Sequence, residues 1–312
     1  MRRVLLIPIL ILAGLAVFSF SVRPSPKPST SPFIVGATPA IRSAQAFLLP
    51  AANPGYAPVR DTNVPEPVLD ANAALLVHLD SGKVLYEKRS SLQMPIASLT
   101  KLLSALVATD LFDANEVVTV ASGSVRVDGQ KQTLYEGERL MVRDLLSMML
   151  VESSNDAAYA LAAYARERQI DFVSEMNRRA YTLGMESCAF KDPAGLDDTA
   201  TCDANDLLRL VRAVMRQAPS LLPITTHSQL EIRSADGKML HEVKNTNELL
   251  GTISGVLGGK TGYTDGALGC LILVVKLPGK SDTLVSIVLG SRARFTDTQA
   301  LVAWAERGYQ WQ

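Results

Sequence analysis

Several side chains in this sequence have the types and spacing that a serine acyl-transfer reaction requires. In Ser98-Leu-Thr-Lys101 a hydroxyl and an amine lie three residues apart, so on a helix both side chains project from one face. Ser153-Ser-Asn155 adds a second hydroxyl and an amide, and Lys260-Thr-Gly262 adds a second lysine. We predict that Ser98 is a nucleophile at the start of a helix and that Lys101 is its general base.

Lysine is the expected base because the chain offers no suitable histidine. Its three histidines, His78, His227 and His241, lie outside any recognisable nucleophile or triad motif. Lys101 can accept a proton at neutral pH only if burial and a nearby positive charge lower its pKa. Lys260 is the predicted source of that charge.

Each motif has a simpler interpretation when it is considered alone. A Ser-x-x-Lys pattern is expected about once by chance in such a chain and usually lies on a solvated helix face. Ser154 or Asn155 could cap the following helix. The run before Gly262 is similar to a phosphate loop, but that loop requires glycine where this chain has Ser254. The motifs together favour acyl transfer.

The composition indicates a globular protein of the size of an enzyme, with no bias toward nucleic acid as a partner. The chain has 312 residues, is 47% hydrophobic, and balances 31 basic against 31 acidic residues, so no excess positive charge favours a nucleic acid partner. The three cysteines lack metal-ligand spacing, and we expect neither a metal nor a cofactor. Cys188 and Cys202 either form a disulfide across a short loop or remain buried thiols.

The amino-terminal sequence predicts export. Arg2 and Arg3 precede the uncharged run 4–22, which is typical of a signal peptide or an uncleaved membrane anchor, and we assign 1–22 to one of these. Residues 23–68 are rich in proline and are expected to form an extended tether. The catalytic domain would then be 69–312, acting in the periplasm or cell wall as a secreted or membrane-anchored protein.

The order of predicted elements is β, then α, then β. Such an order predicts an α+β fold, in which an antiparallel sheet is flanked by helices and a helical subdomain is inserted between its first and last strands. The active site is expected at the seam. Hairpin, helix and strand patterns place the elements, in order, at Ala73–His78 and Val84–Glu87 (strands), 98–110, 142–151, 156–168, 172–183 and 204–216 (helices), 230–233, 268–276 and 283–289 (strands), and 298–307 (helix).

The combination and order of these motifs resemble the serine-type D-alanyl-D-alanine carboxypeptidases. These are low-molecular-mass penicillin-binding proteins that share a fold with serine β-lactamases. The resemblance covers roughly 71–312. The stretches that carry it are Pro95-Ile-Ala-Ser-Leu-Thr-Lys101, Ser153-Ser-Asn-Asp-Ala-Ala158, Leu183-Gly-Met185, Asp192-Pro-Ala-Gly-Leu196 and Lys260-Thr-Gly-Tyr-Thr-Asp265.

The resemblance implies a role for each residue that reacts. Ser98 would be the acylated nucleophile, Lys101 its general base and Ser153 the proton relay. The backbone N–H groups of Ser98 and Tyr263 would form the oxyanion hole that stabilises the tetrahedral intermediate.

The resemblance also implies a set of substrate-binding residues. Asn155 would position the substrate, and Lys260, Thr261 and Gly262 would form the strand that binds its terminal carboxylate. Arg294 is similar to a family arginine that helps to hold this carboxylate, and its alternative role is that of an ordinary surface arginine.

The implied function is a carboxypeptidase that releases the terminal D-alanine of peptidoglycan stem peptides through a Ser98 acyl-enzyme. A D-Ala endopeptidase that cuts cross-links would use the same chemistry in a wider cleft. A serine β-lactamase would need a base for fast deacylation, which class A enzymes supply as a glutamate with an asparagine four residues later, and no such glutamate lies between Asn155 and Lys260. We therefore expect slow deacylation, with β-lactam antibiotics as covalent inhibitors. A catalytically silent wall-binding module is the remaining alternative.

Departures from the family pattern are few. Ser154 replaces a glycine of many relatives, and Tyr263 replaces a histidine of some. The sequence leaves no room for the carboxy-terminal β-domain and amphipathic anchor of many relatives, so membrane anchoring is expected through residues 4–22.

Overall fold

The computed structural model describes residues 56–125, 127 and 132–311. The predicted signal peptide or anchor, 1–22, and the predicted tether up to residue 55 lie outside the described residues. Within the described ranges, no helix has both the length and the apolar character needed to cross a bilayer. The assignment of anchor, tether and catalytic domain stays a prediction.

The elements are numbered along the described chain. The strands are β1 (Val59–Arg60), β2 (Ala73–His78), β3 (Val84–Lys88), β4 (Met94–Pro95), β5 (Val117–Thr119), β6 (Arg139–Met141), β7 (Thr201–Cys202), β8 (Gln229–Arg233), β9 (Leu240–Lys244), β10 (Val256–Thr264), β11 (Leu268–Lys276), β12 (Thr283–Ser291) and β13 (Tyr309–Gln310). The helices are α1 (Thr100–Leu111), α2 (Val142–Val151), α3 (Asn155–Glu167), α4 (Phe172–Thr182), α5 (Ala204–Gln217), α6 (Leu221–Ile224) and α7 (Arg294–Gly308). Short 3₁₀ turns lie at Ala97–Leu99 and Ser122–Ser124.

The central sheet is antiparallel and has the strand order β10-β11-β12-β2-β3. Strands from both ends of the described chain complete this one sheet, and α1 to α6 lie between β3 and β10 in the sequence. The predicted α+β fold with an inserted helical subdomain is confirmed. Lys260 of β10 lies opposite Ile272 of β11, so both side chains project from the same face of the sheet.

Each face of the sheet is covered by its own hydrophobic core. Because side chains alternate along a strand, Leu75 and Val77 of β2 face the core that contains α1, whereas Leu76 faces the core that contains Trp304 of α7. Residues 100–108 of α1 are all buried, which is why this helix is apolar on most of its circumference. The buried α1 therefore gives its first turn a rigid foundation.

Two contacts restrain the segment that precedes α1. Strand β4 pairs with β7, with Met94 opposite Cys202. Cys202 is in turn joined to Cys188 by a disulfide, the first of the two alternatives for these cysteines. The residues just before Ser98 are thereby connected to the segment between α4 and α5.

A small sheet connects the two ends of the described chain. Strand β1 pairs with β13, and the guanidinium carbon of Arg60 lies 4.6 Å from the ring centre of Trp304. Residues 59–60, at the carboxyl end of the predicted tether, therefore contact the domain.

Most of the predicted elements match the observed ones closely. The hairpin of β2 and β3, helix α2 and strand β11 have the predicted positions. The longer strands β9 and β10 were not predicted, and neither were the short elements β1, β4, β5, β6, β7, β13 and α6. The helix expected from residue 98 begins as a 3₁₀ turn and becomes α-helical at Thr100, and the last helix begins earlier than expected, at Arg294.

Candidate active site

Ser98 occupies the 3₁₀ turn that leads into α1. The residue before it, Ala97, has a φ of +47°, a left-handed conformation that costs a non-glycine residue about 1 kcal/mol or more and that clusters at functional sites. Gly195 packs so closely against this turn that a Cβ atom there would lie 2.0 Å from the Ala97 carbonyl oxygen. Surrounding contacts thus fix Ser98 at the amino end of a buried helix, where the helix dipole favours negative charge.

The amine of Lys101 is arranged to take the proton of Ser98. Its Nζ lies 2.7 Å from Ser98 Oγ, 2.8 Å from Asn155 Oδ1 and 2.8 Å from the Ala194 carbonyl oxygen. A neutral amine has two N–H groups and one lone pair, and the carbonyl oxygens of Asn155 and Ala194 can only accept hydrogen bonds. The lone pair of neutral Lys101 is therefore left for the Ser98 hydroxyl.

The surroundings of Lys101 favour its neutral form. The side chain is fully buried, and burial, followed by the positive charge of Lys260, holds the pKa of Lys101 well below its usual range. The carboxylate of Asp192 acts in the opposite direction and raises it. The electrostatic condition for a lysine base is therefore present.

Ser153 and Ser154 lie between α2 and α3, as predicted, and Asn155 is the first residue of α3. Ser154 Oγ accepts a hydrogen bond from Ala157 N at 3.1 Å, so Ser154 is the helix cap. Ser153 has a φ of +67°, a strained conformation that directs its hydroxyl to Lys260 Nζ, 2.9 Å away. Helix capping therefore accounts for Ser154 alone. Ser153 contacts Lys260 and Asn155 contacts Lys101, so these two residues belong to the site.

Lys260 is the second buried cation of the site. It is 1% exposed, and its Nζ also donates to the Thr261 carbonyl oxygen at 2.9 Å. Burial and the positive charge of Arg294 lower its pKa to about 7. An incoming carboxylate would favour the protonated form and find a poorly solvated ammonium ready to pair.

The glycines of β10 permit the backbone of this strand to approach its neighbours. A Cβ atom at Gly259 would lie 2.4 Å from the Ile272 carbonyl oxygen, and one at Gly262 would lie 3.0 Å from Ser98 N. The Gly262–Tyr263 backbone therefore lies next to the Ser98 N–H, while the Tyr263 side chain is 57% exposed. The two predicted oxyanion-hole donors, the N–H groups of Ser98 and Tyr263, therefore belong to neighbouring backbone segments.

Arg294 is the first residue of α7, and its side chain lies against β11. A Cβ atom at Gly269 would lie 3.0 Å from Arg294 Cδ, and the guanidinium carbon is 4.6 Å from the Phe295 ring centre. Among the described atoms, its buried Nε has no hydrogen-bond partner. Its positive charge lowers the pKa of Lys260, and its role in holding a carboxylate stays a prediction.

Two further groups at the site were not predicted from the sequence. Thr246 follows β9, and its Oγ1 lies 2.5 Å from Thr261 Oγ1, so both hydroxyls border the expected carboxylate pocket. The Ala194 carbonyl contacts Lys101. No sequence signal identified Thr246, whereas Ala194 belongs to a stretch that carried the family resemblance without an assigned role.

Comparisons with known proteins agree with this geometry. Residues 60–293 match the family model Peptidase_S11, described as D-alanyl-D-alanine carboxypeptidase. The chain is 30% identical over 212 residues to D-alanyl-D-alanine carboxypeptidase DacF of Bacillus subtilis, covering 66% of this chain and 54% of DacF. It is 32% identical over 244 residues to a D-alanyl-D-alanine endopeptidase of Pseudomonas aeruginosa, covering 77% of this chain and 78% of that protein.

A solved structure shares the fold. Penicillin-binding protein D2 of Listeria monocytogenes, in an ampicillin-bound form, superposes with a TM-score of 0.65 at 32% identity, covering 77% of this chain and 99% of that structure. The family model alone spans more than half of the chain. The chain therefore belongs to the Peptidase_S11 family of D-alanyl-D-alanine carboxypeptidases and is a serine peptidase.

Proposed function

We propose that this protein is a serine D-Ala-D-Ala carboxypeptidase that releases the terminal D-alanine of peptidoglycan stem peptides. The observation that carries the proposal is the contact of 2.7 Å between Lys101 Nζ and Ser98 Oγ, made by an amine whose other two contacts are acceptors. This geometry supports a nucleophile and base pair that is formed before substrate binds.

Acylation would begin when Ser98 Oγ attacks the carbonyl carbon of the penultimate D-alanine and passes its proton to Lys101. The N–H groups of Ser98 and Tyr263 would stabilise the oxyanion, a contribution of about 3–4 kcal/mol per donor in related sites. Ser153 would relay a proton to the leaving amine, and free D-alanine departs. In deacylation, water would attack the ester while Lys101 accepts its proton and returns it to Ser98.

The carboxylate pocket explains why a peptide end would be recognised. Lys260 and Arg294 contribute two positive charges, and Thr261, next to Lys260 in the strand, offers a hydroxyl that contacts Thr246. A terminal D-alanine carboxylate would pair with these groups, and Asn155 would hold the acyl portion. An internal peptide bond without a nearby carboxylate would leave the cations unpaired, which is costly in a buried pocket.

An endopeptidase that cuts D-Ala cross-links is the second candidate. The relative named an endopeptidase covers 77% of this chain, more than the 66% covered by DacF. The chemistry would be identical, and the difference would lie in how much space follows the scissile bond.

The same acyl chemistry supports the remaining proposals. β-Lactam antibiotics would acylate Ser98 and deacylate slowly, in line with the ampicillin-bound Listeria relative. Peptidoglycan as substrate requires action outside the cytoplasm, with residues 1–22 as signal or anchor and 23–68 as tether. Intact Ser98, Lys101 and Ser153 argue against a silent wall-binding module.

The test compares two substrates with the wild-type protein and with Ser98→Ala. A stem pentapeptide ending in D-Ala-D-Ala should release D-alanine, whereas a cross-linked stem-peptide dimer should remain intact. Cleavage of the dimer alone would select the endopeptidase. No cleavage of either substrate by wild type would reject both.

A further inference from the structure

A buried carboxylate, that of Asp192, organises the loop beside Lys101. Asp192 is 9% exposed and lies just before the segment 194–197. Its Oδ1 accepts hydrogen bonds from the N–H groups of residues 194 and 195, both at 2.7 Å, and its Oδ2 accepts from those of residues 196 and 197, at 3.0 and 2.9 Å. Four charge-assisted bonds to one side chain fix the conformation of the loop.

This loop contacts the catalytic helix at successive residues. The Pro193 carbonyl accepts from Ser104 Oγ at 2.6 Å, and the Ala194 carbonyl accepts from Lys101 Nζ at 2.8 Å. Gly195, with a φ of +76°, packs against the turn that carries the nucleophile. A change in the loop would therefore alter the direction of the Lys101 amine, because the Ala194 carbonyl occupies one of its two N–H groups.

The charge of Asp192 also acts on Lys101. The charged groups that influence the amine are Lys260, on β10, and Asp192, on the loop, while its direct partners Ser98 and Asn155 are uncharged. The same carboxylate also acts on Tyr159 of α3, because burial, followed by the charges of Asp192 and Asp197, raises the pKa of Tyr159 to about 12. Asp192 thus belongs electrostatically to the site although it contacts no reacting atom.

We propose that Asp192 is a positioning residue for acyl transfer, holding the loop that places the Ala194 carbonyl on the Lys101 amine and supplying the negative charge that offsets Lys260. The inference rests on the proposed function of Ser98 and Lys101. The Asp192-Pro-Ala-Gly-Leu196 stretch would thereby position the general base, Lys101.

The test is the pH dependence of acylation by benzylpenicillin in Asp192→Asn, with Asp197→Asn as the matched control. An asparagine oxygen can still accept two of the four loop hydrogen bonds, while its NH₂ faces the remaining two donors, so the loop is weakened and the protein still folds. Asp197 lies in the same loop, and its exposed side chain bonds only Thr199. Thermal unfolding of each variant separates folding from catalysis.

Removal of the Asp192 charge disfavours the protonated amine, so the pKa of Lys101 falls. In the profile of acylation rate against pH, the acid limb should therefore move to lower pH by about one unit. The plateau rate should fall about tenfold or more, because the Lys101 amine is no longer correctly directed at Ser98. Asp197→Asn should behave as wild type. An unmoved acid limb in Asp192→Asn, or a limb moved to higher pH, would overturn the inference, whereas absence of acylation in wild type would instead reject the proposed function.

Discussion

Replacement of the buried Lys260 by methionine should stabilise the fold and abolish activity at the same time. Methionine has a similar length and no charge to desolvate. Burial and Arg294 lower the pKa of Lys260 from its ordinary 10.5 to about 7. The native state therefore binds a proton on this residue less tightly than the unfolded chain does.

The magnitude follows from this difference of about 3.5 pH units, at about 1.4 kcal/mol for each unit. Below pH 7 both states are protonated and the full destabilisation of about 5 kcal/mol is present; it declines as pH rises toward 10.5, where the unfolded chain also loses the proton. The variant loses the Lys260 hydrogen bonds to Ser153 and Thr261, about 2 kcal/mol together. We expect Lys260→Met to be more stable than wild type by about 3 kcal/mol at pH 6.

Urea unfolding from pH 6 to pH 10 measures the effect. The free-energy difference between Lys260→Met and wild type should shrink as pH rises and should reverse its sign by pH 10. Lys244→Met, at an exposed position of β9, is the control and should stay within about 0.5 kcal/mol of wild type. A free-energy difference that is constant with pH would show that the pKa of Lys260 is not lowered in the folded protein.

Three further predictions concern the neighbours of Lys260. Gly262→Ala should slow acylation by benzylpenicillin about 100-fold, because its Cβ would lie 3.0 Å from Ser98 N, while Gly123→Ala, with open space around it, should not. Ser153→Ala and Ser153→Gly should both release D-alanine about 100-fold or more slowly than wild type. In urea unfolding, Ser153→Gly should be more stable than Ser153→Ala by about 1 kcal/mol, because glycine adopts the positive φ of this position without strain. Arg294→Leu should raise the pKa of Lys260 and raise KM for a peptide with a free terminal carboxylate about tenfold or more, measured by steady-state D-alanine release.

The fold could be predicted well where local periodicity reports on burial. Helix α2 has the predicted bounds, and β11 reads as a continuous apolar run because both of its faces are covered. Strand β10 could not be predicted, since its glycines are unfavourable for a strand unless another backbone approaches closely. In the folded protein the Ile272 carbonyl makes such an approach to Gly259, a tertiary contact that no local pattern contains.

The candidate site was predictable as a set of residues rather than as an arrangement. The sequence motifs named Ser98, Lys101 and Lys260, and the structure brings them together; their catalytic roles stay predictions. Thr246 was not identified, and Asp192 belonged to a stretch that carried the resemblance but received no role, because the importance of both depends on what they touch after folding. A threonine between two asparagines and an aspartate before a proline are both ordinary in turns, so local sequence alone gave no reason to assign them a role.

Intact-mass spectrometry of the protein with benzylpenicillin, with Ser98→Ala measured beside wild type, shows whether Ser98 is the residue that becomes acylated. We expect one covalent adduct per wild-type molecule, with the full mass of the antibiotic, and none on Ser98→Ala. An adduct on both proteins, or no adduct on folded wild type with the antibiotic left unhydrolysed, would contradict the assignment of Ser98 as the acylated nucleophile.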